Sequence, residues 1–280
     1  MTPLRLDAPA KLNLSLAITG RRGDGFHEVE SELVLLELVD RLLLLPGCSG
    51  LRVEGEEANA LPLGAANLAW RGLLAGIGRA PDLVCLTLEK RVPVAAGLGG
   101  GSSDAAAAWR LGRRSEDTSE APDAVALDML ASIGADVPFF AAQAARARVS
   151  GIGEQVTALP PEAADVEVVL AHPPFALSTA KVFAELRPEE WSATAERGRN
   201  DLLAPALRLQ PAIEDILRLM VAAGGAPQLS GSGPTVFAVT DDPERAAAMK
   251  GRLERGGLRA TQTRMRSEPA SIEAIEETEE

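Results

Sequence analysis

The sequence is poor in the side chains that build disulfide frameworks and metal centres. It has no tyrosine, two cysteines (Cys48 and Cys85) and two histidines (His27 and His172). The cysteines form no CxxC pair, so we expect neither a disulfide framework nor a zinc site. Two histidines also argue against a metal cluster built on imidazole. Aromatic residues make up 3% of the chain, so an aromatic side chain in a loop is unusual here.

Long apolar runs are also missing. The most apolar stretch, residues 33–45, is interrupted by Glu37, Asp40 and Arg41. No stretch is therefore long enough to predict a membrane span. The N-terminal residues lack the apolar run of a secretion signal, and we expect a cytoplasmic protein.

Basic residues are fewer than acidic ones. The chain has 28 basic and 40 acidic residues, a net charge of −12, and six of the acids lie from Glu268 onward. This balance argues against binding to nucleic acid or to an anionic membrane. A small-molecule substrate is the partner we expect, for a monomer or a homodimer. Only four of the basic residues are lysines (Lys11, Lys90, Lys181 and Lys250), so a lysine at any position is unusual in this chain.

The apolar periodicity predicts mixed strands and helices in two domains. Residues 10–18 alternate like a strand with one buried face, whereas 67–77, 122–133, 211–223 and 243–255 have helical spacing. Further strands are predicted at 83–92, 146–159, 166–171 and 236–240. We place the domain boundary near residue 158 and expect a disordered acidic tail from residue 268.

The strongest local signal is the glycine loop, residues 93–103, between a predicted strand and a helix. Four of the five residues from 97 to 101 are glycine, and Ser102 and Ser103 are predicted to open the helix. Free N–H groups at a helix N-terminus form a nest for anions, so a di- or triphosphate is the expected ligand. The loop lacks the lysine of a Walker A motif and the third glycine of a GxGxxG fingerprint.

Two isolated residues could carry chemistry. Lys11 lies on the polar side of the first strand with Asn13, where a partly buried ammonium needs an anionic partner. It could equally be a strand-edge lysine that reaches water. Asp136, in the segment Gly-Ala-Asp-Val-Pro, could be a turn residue or a general base.

Aromatic residues and a second glycine segment complete the candidates. Phe26 and His27 stand in a glycine-rich loop and could stack on a base or simply anchor that loop. Phe183, on a predicted helix, could do the same or belong to the core. The glycine turn, residues 229–235, is either a plain tight turn or a second loop that closes over the glycine loop.

Taken together, these segments resemble the GHMP kinase superfamily. The three motifs are PAKLNL around Lys11, the glycine loop, and the glycine turn, in that order. The blocks TGRRGDGFHE, GADVPFF and AHP further resemble those members that act on a cytidine diphosphate-linked methylerythritol. The resemblance implies an α+β, two-domain fold. Residues 1–158 would form a domain like ribosomal protein S5 domain 2, and residues 159–267 a ferredoxin-like domain.

The resemblance also implies ATP-dependent phosphorylation of the 2-hydroxyl of that substrate. Asp136 would orient or deprotonate the hydroxyl, and Lys11 would keep Asp136 ionised and stabilise the phosphoryl charge. Cytidine would contact Phe26, His27 and Phe183, with Asn13 and Thr179 as lesser candidates. Mg²⁺ is expected with ATP; its ligand is not readable, and Ser103 is the only candidate. Asn67 and Leu68 would contact adenosine, and the ATP phosphates would lie along Pro93, Val94, Ala95, Ala96, Gly97, Leu98, Gly99, Gly100, Gly101, Ser102 and Ser103.

Three alternatives stay open from the sequence. Another kinase of the superfamily, acting on homoserine, mevalonate or a sugar, would have the same loop, lysine and aspartate. A dinucleotide-dependent oxidoreductase would need the missing third glycine. A non-catalytic nucleotide-binding module would need neither Lys11 nor Asp136. Family members often have tyrosine at the position of Phe26, so a phenol hydroxyl is lost while the ring face is kept.

Overall fold

A long antiparallel hairpin organises the first domain. The computed structural model describes residues 2–78, 83–162 and 166–275. The strands of the larger sheet are β1 (Leu4–Arg21), β2 (His27–Pro46), β3 (Gly50–Glu54), β4 (Val84–Glu89), β5 (Arg146–Ser150), β6 (Gln155–Ala158) and β11 (Glu273–Ala274). They have the order β11-β1-β2-β4-β3; β5 also pairs with β2, and β6 with β5. These pairs are antiparallel except β3 with β4, which is parallel.

Among the described residues, the α-helices of this domain are α1 (Leu68–Ile77), α2 (Gly100–Ser115), α3 (Ala124–Ile133) and α4 (Val137–Ala141). The central one, α2, carries the run of alanines that favours a helix and also lets it pack closely. Its residues 103–112 are buried, and it contacts α1, α4 and β1. This packing fixes the start of α2 next to the middle of β1.

The second domain is a four-stranded antiparallel sheet in the order β10-β7-β9-β8. Its strands are β7 (Glu167–His172), β8 (Gln228–Leu229), β9 (Val236–Thr240) and β10 (Arg259–Arg264). Its helices are α5 (Thr179–Ala184), α6 (Leu203–Leu209), α7 (Ala212–Ala222) and α8 (Pro243–Arg255). The N-cap of α8 is clear: Asp242 accepts hydrogen bonds from the N–H groups of Glu244 and Arg245 at 2.9 and 3.1 Å. Of these helices, the sequence analysis missed α6.

Strand β1 is buried on both faces, and the prediction of a single buried face is wrong. Its apolar side, including Leu12 and Leu14, packs against β7 and β9 of the second domain through Val168 and Phe237. Its polar side, which carries Lys11, is buried too. The reason is that the second domain covers one face while the helical layer and the glycine loop cover the other.

The acidic tail is ordered up to residue 275, which corrects the expectation of disorder from 268. Strand β11 pairs with the edge of β1, and Ala270 O accepts a hydrogen bond from Arg110 Nη1 at 2.9 Å. Ala270 and Ile272 pack against the apolar core under β1. The tail is ordered because it satisfies an open sheet edge and buries two apolar side chains. Residues 276–280 lie outside the described residues.

One disulfide, Cys48–Cys85, contradicts the expectation of unpaired cysteines. Cys85 lies in β4 opposite Leu45, and Cys48 lies two residues beyond the end of β2 at Pro46. The pairing of β2 with β4 brings the two Cα atoms to 5.2 Å, within the range that a disulfide spans. In the part of the chain that the structure describes, no helix is long and apolar enough to cross a membrane.

Candidate active site

A cavity of about 650 Å³ lies where the two domains meet. It gathers segments that are far apart in the sequence: β1, the glycine loop, the start of α2, Asp136, α5 and the glycine turn. Of the predicted site residues, those that line it are Lys11, Asn13, Asn67, Asp136, Thr179, Phe183 and residues 93–102. The structure therefore brings most of the candidates to one place.

The start of α2 forms the wall of this cavity. The helix begins at Gly100, with Gly99 as its N-cap at φ +70°, so the prediction that Ser102 caps it is wrong. The first backbone hydrogen bond of the helix runs from the Ser103 N–H to Gly99 O, at 2.9 Å. The preceding N–H groups of the first turn have no intrahelical acceptor, which leaves them for an anion in the cavity.

The two serines of this helix face different ways. Ser102 lines the main cavity, and its Oγ would lie 3.3 Å from a Cβ placed on Gly134. Ser103 instead lines a separate cavity of about 20 Å³ on the other side of α2, and its buried Oγ has no partner among the described residues. Only Ser102 therefore presents its hydroxyl to the main cavity, which speaks against Ser103 as a metal ligand there.

The glycine loop and the glycine turn are in direct contact. Ser230 Oγ donates to Gly97 O at 2.9 Å, and Gly97 has φ +76°. A Cβ on Gly97 would lie 2.4 Å from Ser230 O and 2.8 Å from Gly233 O, both backbone atoms. The two segments can meet only because residue 97 has no side chain.

Replacing Gly97 by alanine is expected to push the two segments apart and weaken nucleotide binding at least about 10-fold, since a displaced loop no longer aims its N–H groups. Gly251→Ala on α8 is the matched control, because Gly251 does not line the cavity and its Cβ would meet only the flexible side chain of Arg255, at 3.3 Å. Calorimetric titration with a non-hydrolysable ATP analogue measures both. Equal affinities of the two variants would show that the contact does not shape the loop.

Lys11 and Asp136 meet at the floor of the cavity. Lys11 Nζ lies 3.6 Å from Asp136 Oδ2; the lysine side chain is 5% exposed and the aspartate 38%. Asp136 precedes α4 but its side chain makes no capping hydrogen bond, so the carboxylate is not committed to the turn. A buried ammonium next to an accessible carboxylate is suited to charge stabilisation beside a base.

A directional chain of hydrogen bonds holds the lysine. Lys11 Nζ donates to Asn13 Oδ1 at 2.6 Å, Asn13 Nδ2 donates to Ser31 Oγ at 2.8 Å, and Ser31 Oγ donates to Ser15 O at 2.5 Å. Because an ammonium only donates, Asn13 must present its oxygen to Lys11. The predicted substrate residue Asn13 is thus also an orienting partner of Lys11.

Of the three aromatic candidates, Phe183 is the one that lines the cavity, and His27 packs against it. The rings of His27 and Phe183 are 5.5 Å apart and those of His27 and Trp191 5.9 Å, the second pair edge-on. Burial, with a contribution from Arg21, lowers the pKa of His27 and favours its neutral form. Phe26 is 60% exposed and, like His27, does not line the cavity itself. Thr179 Oγ1 lies 2.8 Å from Ser232 Oγ of the glycine turn.

Asn67 has a structural task beside its predicted one. Its Oδ1 accepts from Ala69 N–H at 2.9 Å as the N-cap of α1, and its Nδ2 donates to Pro62 O at 2.9 Å. The side chain fixes the segment that closes the cavity beside the glycine loop.

Family models and relatives agree with this geometry. Residues 63–143 match the GHMP kinases N terminal domain, and residues 180–257 match GHMP kinases C terminal. A protein of Rhodopseudomonas palustris (strain BisA53) named 4-diphosphocytidyl-2-C-methyl-D-erythritol kinase is 36% identical, over 89% of this chain and 93% of its own. One of Granulibacter bethesdensis with the same name is 40% identical, over 85% and 86%.

The chain belongs to the GHMP kinase family. The resemblance predicted from the sequence, the two-domain α+β fold and the kinase class are confirmed. A crystal structure of 4-(cytidine 5'-diphospho)-2C-methyl-D-erythritol kinase superimposes with a TM-score of 0.77 at 32% identity, covering 93% of this chain and 98% of that one. A homoserine kinase from Cytophaga hutchinsonii has a TM-score of 0.67 at 15% identity, covering 97% and 98%, and shares the fold.

The sequence analysis missed a buried ionic triad beneath the glycine loop of this GHMP kinase. Lys90 Nζ donates to Asp40 Oδ2 and, at 2.7 Å, to Asp104 Oδ2; the three residues are at most 2% exposed. A Cβ on Gly100 would lie 2.9 Å from Lys90 Nζ, so the ammonium directly underlies the start of α2. The sequence feature that could have pointed to Lys90 is the scarcity of lysine in this chain. Trp191, whose ring packs edge-on against that of His27, was not predicted because no local sequence motif marks it.

The triad holds two carboxylates and one cation, which affects its protonation. Burial alone would lower the pKa of Lys90, but the charges of Asp104 and Asp40 raise it above its usual value. Burial, aided by Asp40 and opposed by Lys90, raises the pKa of Asp104 to about 8. Asp104 is therefore a buried partner of Lys90.

This raised pKa predicts a pH-dependent stability. From about pH 4 to about pH 8 the folded protein keeps a proton that the unfolded chain has lost, so stability falls as pH rises through that window. Asp104→Asn removes this contribution. The free energy of unfolding of the variant should therefore increase relative to that of the wild type as pH rises. Urea unfolding at about pH 5 and pH 8 measures the difference. Parallel pH curves for the two proteins would contradict the protonated triad.

Proposed function

We propose that this GHMP kinase transfers the γ-phosphoryl group of ATP to the 2-hydroxyl of 4-diphosphocytidyl-2-C-methyl-D-erythritol. The observation that carries the proposal is the Lys11–Asp136 pair, which lines the same cavity as the glycine loop, the start of α2 and Phe183. The relatives that bear this kinase name match most of the chain, which supports the choice of acceptor.

The nucleotide occupies the end of the cavity formed by the glycine loop and α1. The N–H groups at the start of α2 hold the ATP phosphates, and residues 93–102 line their path. Asn67 and Leu68 lie beside the loop and take the adenosine. In this arrangement the γ-phosphoryl group lies next to Lys11, which is buried and already oriented by Asn13.

Phosphoryl transfer proceeds by positioning and charge neutralisation. Asp136 accepts a hydrogen bond from the 2-hydroxyl, aims its oxygen at the phosphorus, and takes up the proton as the new P–O bond forms. The bond between the γ-phosphorus and the β–γ bridging oxygen breaks in the same step, and ADP leaves with that oxygen. Lys11 stabilises the charge on the transferring group. Because the transition state of phosphoryl transfer is loose, a weakly basic carboxylate is sufficient.

The acceptor's cytosine lies against the aromatic cluster formed by His27, Phe183 and Trp191. Stacking on His27 and Phe183 contributes about 1–3 kcal/mol per base. The lowered pKa of His27 keeps its ring neutral, so it can exchange hydrogen bonds with the cytosine edge. Phe26, which is largely exposed, folds over the base when the substrate is present.

Mg²⁺ accompanies ATP in this proposal. No group of three or more His, Cys, Asp or Glu side chains among the described residues could hold a metal ion. Mg²⁺ at substrate phosphates needs only one or two protein ligands and keeps several waters. Ser102 and Asp136, which face the cavity, fit that role; the ion would neutralise phosphate charge. The cytoplasmic location and the choice between monomer and homodimer stay predictions from the sequence.

The choice of acceptor is tested by comparing turnover with three alcohols at equal concentration: the cytidine diphosphate-linked methylerythritol, homoserine and mevalonate. ADP release is measured with a coupled assay. We expect turnover with the cytidine compound alone, inhibited by CDP and CMP. Turnover with homoserine or mevalonate, unaffected by CMP, would overturn the proposed substrate and leave the kinase class intact.

A further inference from the structure

The segment before α6 lies along β1 as an extra strand-like neighbour. Leu16 N–H donates to Arg199 O at 2.8 Å, and Asp201 N–H donates to Leu16 O at 2.9 Å, so Asn200 runs parallel to Leu16. Asp201 is anchored in turn: its carboxylate accepts from Ile18 N–H at 2.9 Å. The backbone around Asn200 is therefore fixed to the strand that carries Lys11.

Asn200 uses its whole side-chain amide on backbone groups. Its Nδ2 donates to Leu229 O at 2.9 Å and to Gly231 O at 2.8 Å, and its Oδ1 accepts from Leu202 N–H at 2.9 Å. Two carbonyls need donors and one N–H needs an acceptor, so the amide has a single consistent orientation. Asn200 thus ties two carbonyls of the glycine turn to β1.

The glycine turn is held next to the proposed reacting groups. A Cβ on Gly231 would lie 3.2 Å from Lys11 Nζ and 3.1 Å from Asn13 Oδ1. Gly231 and Ser232 both line the main cavity. The Gly231–Ser232 peptide is trans, because the cis bond of this turn is Gly233–Pro234. In a planar trans peptide the C=O and the N–H point in opposite directions.

We propose that Asn200 is a positioning residue that aims the Ser232 N–H into the cavity, where it donates to an oxygen of the transferring phosphoryl group. Asn200 does not line the cavity, and it holds the Gly231 carbonyl, so the N–H of the same trans peptide points away from Asn200. Among the described residues, the Ser232 N–H donates to no other backbone group. The inference rests on the proposed phosphoryl transfer, and adds a backbone donor opposite the start of α2.

The test compares Asn200→Asp and Asn200→Ala with the wild type. The aspartate is isosteric but has no N–H to donate, so it loses both bonds to the glycine turn. Complete loss of a preorganised donor costs about 10²- to 10³-fold in kcat. We expect both variants to lose at least about 10-fold in kcat, with the affinity for ADP and the midpoint of thermal unfolding close to the wild type. A merely structural role would change ADP affinity and the midpoint together with kcat.

A second measurement does not depend on the acceptor. Ser232 would contact the γ-phosphoryl group and not ADP, so the preference for a non-hydrolysable ATP analogue over ADP should fall about 10-fold in both variants. If the wild type fails to phosphorylate the proposed acceptor, the proposed function fails, and this preference alone decides the inference. An unchanged preference, or an unchanged kcat in Asn200→Asp, would overturn the role of Asn200.

Discussion

Replacing Asp136 by asparagine is expected to lower kcat about 10³-fold, and replacing it by alanine to abolish turnover, while ATP still binds. The carboxylate lies 3.6 Å from Lys11 Nζ, is open to the cavity and makes no capping bond. Asparagine keeps the shape but cannot take up the proton of the acceptor hydroxyl. Steady-state rates and calorimetric titration with an ATP analogue separate catalysis from binding.

Asp128→Asn is the matched control, since Asp128 is an exposed residue on α3. The same change of charge there should leave kcat within about 2-fold, because a screened surface charge far from the reaction contributes little. Near-normal turnover by either Asp136 variant would show that another group performs the proposed role of this carboxylate.

Replacing Lys90 by methionine is expected to lower the free energy of unfolding by about 3–5 kcal/mol. The substitution is close in volume, but it leaves the buried Asp40 and Asp104 side chains without the ammonium that donates to both. Asp40 Oδ1 also accepts from the N–H groups of Arg91 and Val92 at 2.6 and 2.8 Å, so it cannot turn away without breaking the entry to the glycine loop. Urea unfolding at neutral pH measures the loss.

Lys250→Met provides the same chemical change at the surface. Lys250 pairs with Glu254 one turn along α8 at 2.6 Å, an exposed pair of a kind that contributes about 0.2–0.5 kcal/mol. A loss in Lys90→Met no larger than in Lys250→Met would contradict the account of the triad.

The parts of the site that depend on local chemistry could be predicted from the sequence. The glycine loop is visible because closely spaced glycines before a helix rarely serve anything but an anion, and Lys11 because a lysine is unusual inside an apolar strand. Asp136 was a candidate from its place in Gly-Ala-Asp-Val-Pro, but the choice between a turn residue and a base came only from the resemblance to the family. Its distance from Lys11 is a property of the fold, since the two residues are far apart in the sequence.

The features that were missed all depend on contacts between distant segments. Asp40 meets Lys90 only because β2 pairs with β4, and the same pairing joins Cys48 to Cys85. The ordered tail depends on the open edge of β1. The mistaken N-cap has a different cause: serine is favoured at that position in general, but here Gly99 can adopt the left-handed conformation that starts the helix two residues earlier than Ser102.

The most direct test of the central claim is phosphorus NMR of the product formed from ATP, Mg²⁺ and 4-diphosphocytidyl-2-C-methyl-D-erythritol. A new phosphomonoester signal coupled to the methylerythritol at C2, beside an intact diphosphate bridge, is the expected result. It would establish the acceptor, the hydroxyl and the reaction in one spectrum. Absence of that signal, in a preparation that binds the ATP analogue normally, would contradict the proposed reaction.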